Sequence, residues 1–365
     1  MLLVAGWARE DGLEPGIDPH GNLWALPTGW EGPLVSAGSH VDTVPDGGRY
    51  DGALGTVLGL ELARDLRDGT PAGARPAVLV CAAEEAPRFG AGTVGSRLLV
   101  GTLPESALDS MHDREGVSAA KARAEYLRAL ARLPRIEPAP QRVIAHVKVH
   151  VALRHELHEL GVVTRVASPR RLEIELLGQG GHAGEISMAK RRDALAAAAE
   201  LVLAIEAAAR AEPPETVATA ADVTVSPGAV SVIPRQAVLA VDLRAIELIS
   251  LDRLEARVRA SAAEIAERRG VTATVKLIRG GEPVVLDERL VRDALAAAGR
   301  LGIAARETWS GAGHDAQHLA ALMPTLLLFV PLHGGESHTP AEGADGSEIL
   351  DAARLATEVL RARSA

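Results

Sequence analysis

Short apolar runs of strand length alternate with helix-patterned segments along this chain, and that alternation restricts the fold more than any other feature. Leu34–Ser39, Ala77–Ala83, Val143–Val151 and Thr325–Val330 read as strands, and Leu54–Arg67, Val117–Leu133, Asp287–Ala298 and Ser347–Arg363 as helices. Such alternation predicts an α/β domain with a mostly parallel sheet. The middle reads differently. Arg171–Leu177 is a strand and Lys190–Arg210 a helix. Two strands (Val217–Val225, Ala237–Arg244), a helix (Leu251–Arg269) and a strand (Val271–Ile278) follow. This βαββαβ order is the ferredoxin-like pattern. It predicts a compact domain over 168–283 inserted into a first domain formed by 1–167 and 284–365, with a hinge near 167–168 and 280–283.

A length of 365 residues suits one large or two medium domains. Aromatic residues make up 2%, so the core must be built from Ala, Val and Leu. The net charge is −9 without a basic stripe, which argues against nucleic acid as the main partner. The single cysteine, Cys81, cannot form an internal disulfide and suits a reducing compartment. The first residues lack a charged segment followed by a long apolar run, and no stretch reaches membrane-spanning length, so a cytoplasmic protein is expected.

Five segments could carry chemistry. The first is Gly38-Ser39-His40-Val41-Asp42 with Asp51 in the Gly-rich stretch behind it. His40 and Asp42, two apart, point the same way in extended chain, so Asp42 could fix the tautomer of His40. In the second, the apolar run 77–83 ends in Glu84-Glu85. Neighbours on a strand face opposite sides, so both carboxylates reach one site only if the strand stops there. One could then ligate a cation while the other takes a proton from water. In the third, His146 and His150 share one face of a strand, with His146 the better candidate for a surface position. The fourth is His338 in a Gly-rich loop. The fifth is Gly181-His182-Ala183-Gly184 ahead of a helix, where His182 could donate to a developing oxyanion. Each alone reads as readily as a polar strand end, surface loop or helix entry, and Cys81 reads as a small core residue. Together they form an N/O ligand set that suits Zn or Mn, with Co or Ni also accommodated.

These segments resemble those of the M20-type metallohydrolases, within them the N-carbamoyl-L-amino-acid hydrolase, β-ureidopropionase and allantoate amidohydrolase group. The likeness rests on GSHVDTVPDGGRYDG (38–52), EEAPRFG (84–90), GSRLLVG (95–101), HVKVH (146–150), GVVTRVA (161–167) and GHAGEISMAKRRDA (181–194). It continues through VSVIP (230–234), DLR (242–244), SGAGHDA (310–316) and GGESHTPAE (334–342). The resemblance implies a parallel-sheet catalytic domain with an inserted lid and dimerisation domain, and two divalent metal ions per chain. His40, Asp51 and His150 would hold one ion, and Asp51, Glu85 and His338 the other, with Asp51 bridging. Asp42 would orient His40, and Glu84 would be the general base. His182 would stabilise the tetrahedral intermediate, within a homodimer formed through the inserted domain. Arg244 would pair with a substrate carboxylate, and Ser231 and Gly313 would border the substrate.

The chain departs from the group's pattern at Ala86-Pro87, at Ala152, Leu153 and Arg154 after His150, and at Pro169, Ser231 and Glu336. The metal positions and base are kept while the polar substrate lining changes. Three readings follow. One is an amidohydrolase cleaving a non-peptide C–N bond of an N-carbamoyl or related N-acyl amino acid. Another is an M20 exopeptidase or aminoacylase. The last is a catalytically silent relative that serves as a binding protein, which metal content would distinguish.

Overall fold

The structure is a computed structural model that describes residues 1–153 and 157–363. Arg154, one of the departures above, lies outside the described residues. Two compact units form, one from Met1–Val166 with Val285–Ala365 and one from Ala167–Val284.

The sheet of the larger unit runs in the order Leu13–Ile17, Leu23–Pro27, Arg75–Val80, Leu34–Ala37, Val143–Val151, Thr325–Val330, Leu160–Val166. The centre is parallel: Leu34–Ala37 pairs with both Arg75–Val80 and Val143–Val151, and Thr325–Val330 pairs with Val143–Val151. The antiparallel pairs lie toward the edges. They include the hairpin Leu13–Ile17/Leu23–Pro27 and the pairing of Leu160–Val166 with Thr325–Val330. Val143–Val151 and Thr325–Val330 are buried almost throughout, as strands covered on both faces must be. Helices Ala53–Asp65, Glu288–Leu301 and Gly346–Arg361 pack on one side, joining Leu58, Leu62, Leu290, Ala294, Leu355 and Val359 to sheet residues Val147, Val149, Leu326 and Leu328. This core is aliphatic, and each fully buried Leu or Val contributes about 1.5–3 kcal/mol.

The smaller unit has the chain order β-α-β-β-α-β. Its antiparallel sheet is ordered Thr272–Arg279, Arg170–Leu177, Gln236–Arg244, Val217–Ser226. Alternate residues Leu172, Ile174, Leu176 and Ala237, Leu239, Val241, Leu243 face helices Ala194–Arg210 and Leu248–Arg269. Period two in the strands and three-to-four in the helices therefore meet on one apolar layer.

Local chemistry set several boundaries differently from the periodicity. The helix expected from Lys190 starts at Ala194, because the Asp193 carboxylate accepts the amides of Leu195 and Ala196. The helix expected over 117–133 spans Ala119–Ala129, capped by Ser118. No helix among the described residues is long and apolar enough to cross a membrane.

Candidate metal centre

The strands Leu34–Ala37, Arg75–Val80 and Val143–Val151 are neighbours in the sheet, and their C-terminal ends deliver His40, Glu84 with Glu85, and His150 to one place. This is where open α/β sheets carry their sites. The strand expected over 77–83 stops at Val80, and Cys81 then bridges to His40. Ala83 takes a left-handed backbone with φ 51°. That turn lets the two adjacent glutamates approach one site, which a continuing strand would forbid.

Helix Ala53–Asp65 begins directly after Asp51, and Gly52 at its N-cap has φ 66°. A Cβ at Gly52 would fall 2.4 Å from the His40 ring. We therefore expect Gly52→Ala to destabilise the chain by more than about 1 kcal/mol. It should also lower bound metal by displacing His40, which calorimetry and elemental analysis would read.

The ring nitrogens show how the donors are aimed. His40 Nδ1 lies 3.0 Å from the backbone carbonyl of Asp42, and His150 Nδ1 lies 3.0 Å from that of Val151. A carbonyl only accepts, so both rings carry hydrogen on Nδ1 and leave Nε2 as the nitrogen that could bind a cation. These two Nε2 atoms face each other at 3.2 Å, and Asp51 Oδ1 stands 3.5 Å from one and 3.0 Å from the other. On the far side of the same carboxylate, Asp51 Oδ2 is 3.0 Å from His338 Nε2, which is 3.5 Å from Glu85 Oε1. Both Asp51 oxygens are buried. Ligands at about 2.0–2.1 Å from a tetrahedral cation lie roughly 3.3–3.4 Å apart, so these separations fit two cations sharing Asp51. His40, Asp51 and His150 bring ligand atoms within 4.8 Å of one another, and so do Asp51, Glu85 and His338.

The electrostatics agree. Burial, together with the charges of Asp51 and Glu84, pushes the pKa of Glu85 up to about 7. Burial works to raise that of Asp51 too, but the adjoining His150 and His338 outweigh it and keep the carboxylate ionised. His338 itself has φ 57°, an unfavourable backbone for a non-glycine residue at the point where it must reach Asp51.

Glu84, His150 and His314 form a further cluster. It is already served by a cation: Lys148 Nζ lies 3.0 Å from Glu84 Oε1 and 3.3 Å from Asp315 Oδ2. Burial opposes the charge of Glu84, and Lys148 holds its pKa well below the usual range regardless. Burial brings the His314 pKa to about 3, so its ring is neutral.

Some expectations need correction. The Asp42 carboxylate does not orient His40. It stands 3.7 Å from Nδ1, beyond hydrogen-bond range, and accepts the Glu85 amide instead, while the Asp42 carbonyl takes the ring proton. His146 is buried rather than surface-exposed, with Nδ1 2.8 Å from Ser36 Oγ. Two residues that sequence reasoning passed over also shape the site. Lys148 is visible in hindsight as a charge inside an apolar strand. Glu342 accepts the amides of Tyr50 and Asp51 and the Ser337 hydroxyl, tying the Asp51 loop to the His338 loop.

His182, Ser231 and Arg244 belong to the smaller unit. Val232 pairs with His182, and the Ala183 amide donates to the Ser231 carbonyl. His182 Nδ1 accepts the Gly184 amide, so hydrogen sits on Nε2, free to donate. Arg244 Nε lies 2.7 Å from Asp242 Oδ1. Gly313 is exposed in the larger unit, beside Gln317. Of the departures, Ala152 and Pro169 are buried, Leu153 packs against the core, and Ser231 and Glu336 are exposed.

The profile of peptidase family M20/M25/M40 matches residues 37–362. An N-carbamoyl-L-amino acid amidohydrolase of Geobacillus stearothermophilus is 34% identical over 361 residues, covering 95% of this chain and 88% of the relative. An allantoate amidohydrolase of Bacillus subtilis is 31% identical over 355 residues, covering 96% and 86%. Among solved structures, an amidase of the hydantoinase/carbamoylase family from Burkholderia multivorans superimposes with a TM-score of 0.84 at 31% identity, over 99% of this chain and 89% of that one.

Proposed function

The chain belongs to peptidase family M20/M25/M40, and from that premise we propose that it is a metal-dependent amidohydrolase that cleaves a non-peptide C–N bond of an N-carbamoyl (ureido) or related N-acyl amino acid. The relatives named N-carbamoyl-L-amino acid amidohydrolase and allantoate amidohydrolase support the bond type. One observation supports the chemistry: two Nε2 nitrogens and a buried carboxylate converge at the spacing that the donors of a divalent cation take.

His40, Asp51 and His150 would hold one divalent ion, and Asp51, Glu85 and His338 the other, with Zn or Mn best suited to these N and O donors. When bound, such a pair would supply Lewis acidity and lower the pKa of a water molecule. Glu84 is the general base: its Oε2 faces the first set, 3.8 Å from His40 Nε2. It takes the proton as the water oxygen bonds to the substrate carbonyl carbon. It then gives that proton to the nitrogen as the C–N bond breaks. His182, through Nε2–H, is the donor to the oxyanion, and the smaller unit acts as lid and homodimer interface. Arg244 receives the substrate carboxylate, for which its planar fork is suited, in exchange for part of its pairing with Asp242.

A panel of N-carbamoyl amino acids, N-acyl amino acids and dipeptides, with Mn or Zn added, tests this reading. Turnover of carbamoyl or related acyl substrates is expected. Turnover of dipeptides alone would replace it with an exopeptidase, the reading that the departures from the group's pattern at Leu153, Pro169 and Ser231 keep open. Less than about one bound metal per chain, even after reconstitution, would favour a silent binding relative, since a dinuclear site needs two.

A further inference from the structure

Lys148 is fully buried on strand Val143–Val151, on the same face as His146 and His150. Its ammonium bridges Glu84 Oε1 at 3.0 Å and Asp315 Oδ2 at 3.3 Å, and Asp315 Oδ1 in turn accepts the Ser96 hydroxyl at 2.6 Å. Stability gives little reason for such a group. Replacing a buried ion pair by apolar side chains of similar volume is often neutral or stabilising. What an apolar side chain could not do is aim a carboxylate. Glu84 has rotatable side-chain bonds, and a general base acts only from within hydrogen-bond reach of the proton it takes. Lys148 donates to one oxygen, whereas His314 Nδ1 stands 3.6 Å away from that oxygen, too far for a strong bond. The second oxygen is thereby left facing His40.

We propose that Lys148 is a positioning residue: anchored by Asp315 and Ser96, it grips Glu84 Oε1 so that Oε2 is presented to the His40–Asp51–His150 set. The proposal rests on Glu84 being the base. Lys148 is not a metal ligand and touches no substrate. Its effect on turnover therefore runs through Glu84.

The test is a double-mutant cycle on the metal-reconstituted full chain. Lys148→Met is made together with Asp315→Asn, so that no second carboxylate is stranded, and is compared with Asp315→Asn alone. The expected result is a kcat about 10²-fold lower, the size of loss that a misplacement of about 1 Å produces, with KM and bound metal unchanged. In a Glu84→Gln background the same Lys148 change should cost less than about twofold, since an amide takes no proton and how it is aimed no longer sets the rate. A crystal structure of the Lys148→Met/Asp315→Asn variant should show the Glu84 carboxylate turned from His40. A kcat within about twofold of Asp315→Asn, or an equal loss in the Glu84→Gln background, overturns the proposal. If Glu84→Gln itself retains turnover, it is the assignment of the base that fails. Should the Met variant not fold, Lys148→Gln with Asp315→Asn is read in the same cycle.

Discussion

Glu84→Gln is expected to lower turnover by roughly 10²–10⁴-fold, the usual contribution of a general base, while fold and metal content stay close to those of the unaltered chain. The amide has nearly the shape of the carboxylate, and its oxygen still accepts from Lys148 Nζ, which keeps Asp315 as a charged partner. The proposed ligands His40, Asp51 and His150 are untouched. Only the capacity to take and return a proton is lost. Steady-state kinetics beside a thermal melt and elemental analysis separate this outcome from unfolding. Near-normal turnover would mean that another group is the base.

Asp51→Ala is expected to abolish turnover and to leave less than about one ion per chain, where a two-ion site requires two. The Asp51 oxygens face the two ligand sets, one each, so a single truncation strips both. His338→Ala should behave differently, because His40, Asp51 and His150 still converge and can retain one ion. The two variants also differ in melting. Ions that bind only the folded chain stabilise it by about 2.7 kcal/mol when free metal is one hundred times Kd. Added Zn or Mn should thus raise the melting temperature of the unaltered chain and do little for Asp51→Ala. If Asp51→Ala kept two ions, the bridging role would be wrong.

Legibility in the sequence followed the range of the interactions. The adjacent pair Glu84-Glu85 predicted its own condition, a strand that stops, and the left-handed Ala83 meets it. The fate of His146 and Lys148 was hidden, because period two places them on one face of a strand without saying what that face meets. It meets Ser36, Glu84 and Asp315, the last of these 167 residues from Lys148. The Asp42 assignment misled for a related reason. Spacing put a carboxylate near His40, but which oxygen of a residue receives a ring proton depends on backbone direction, and there the carbonyl is closer.

From its residues alone this chain declares the alternation of strands and helices, an aliphatic core and the side-chain types of a metal site. Those properties depend on neighbours a few positions away, where periodicity and propensity act. Tertiary structure alone decides that His40 and His150, 110 residues apart, turn their Nε2 atoms toward one carboxylate. It alone decides that an ammonium lies behind Glu84. Lone-pair direction and charge pairing are settled by which strands become neighbours, and burial then makes every unpaired polar atom too costly to leave without a partner.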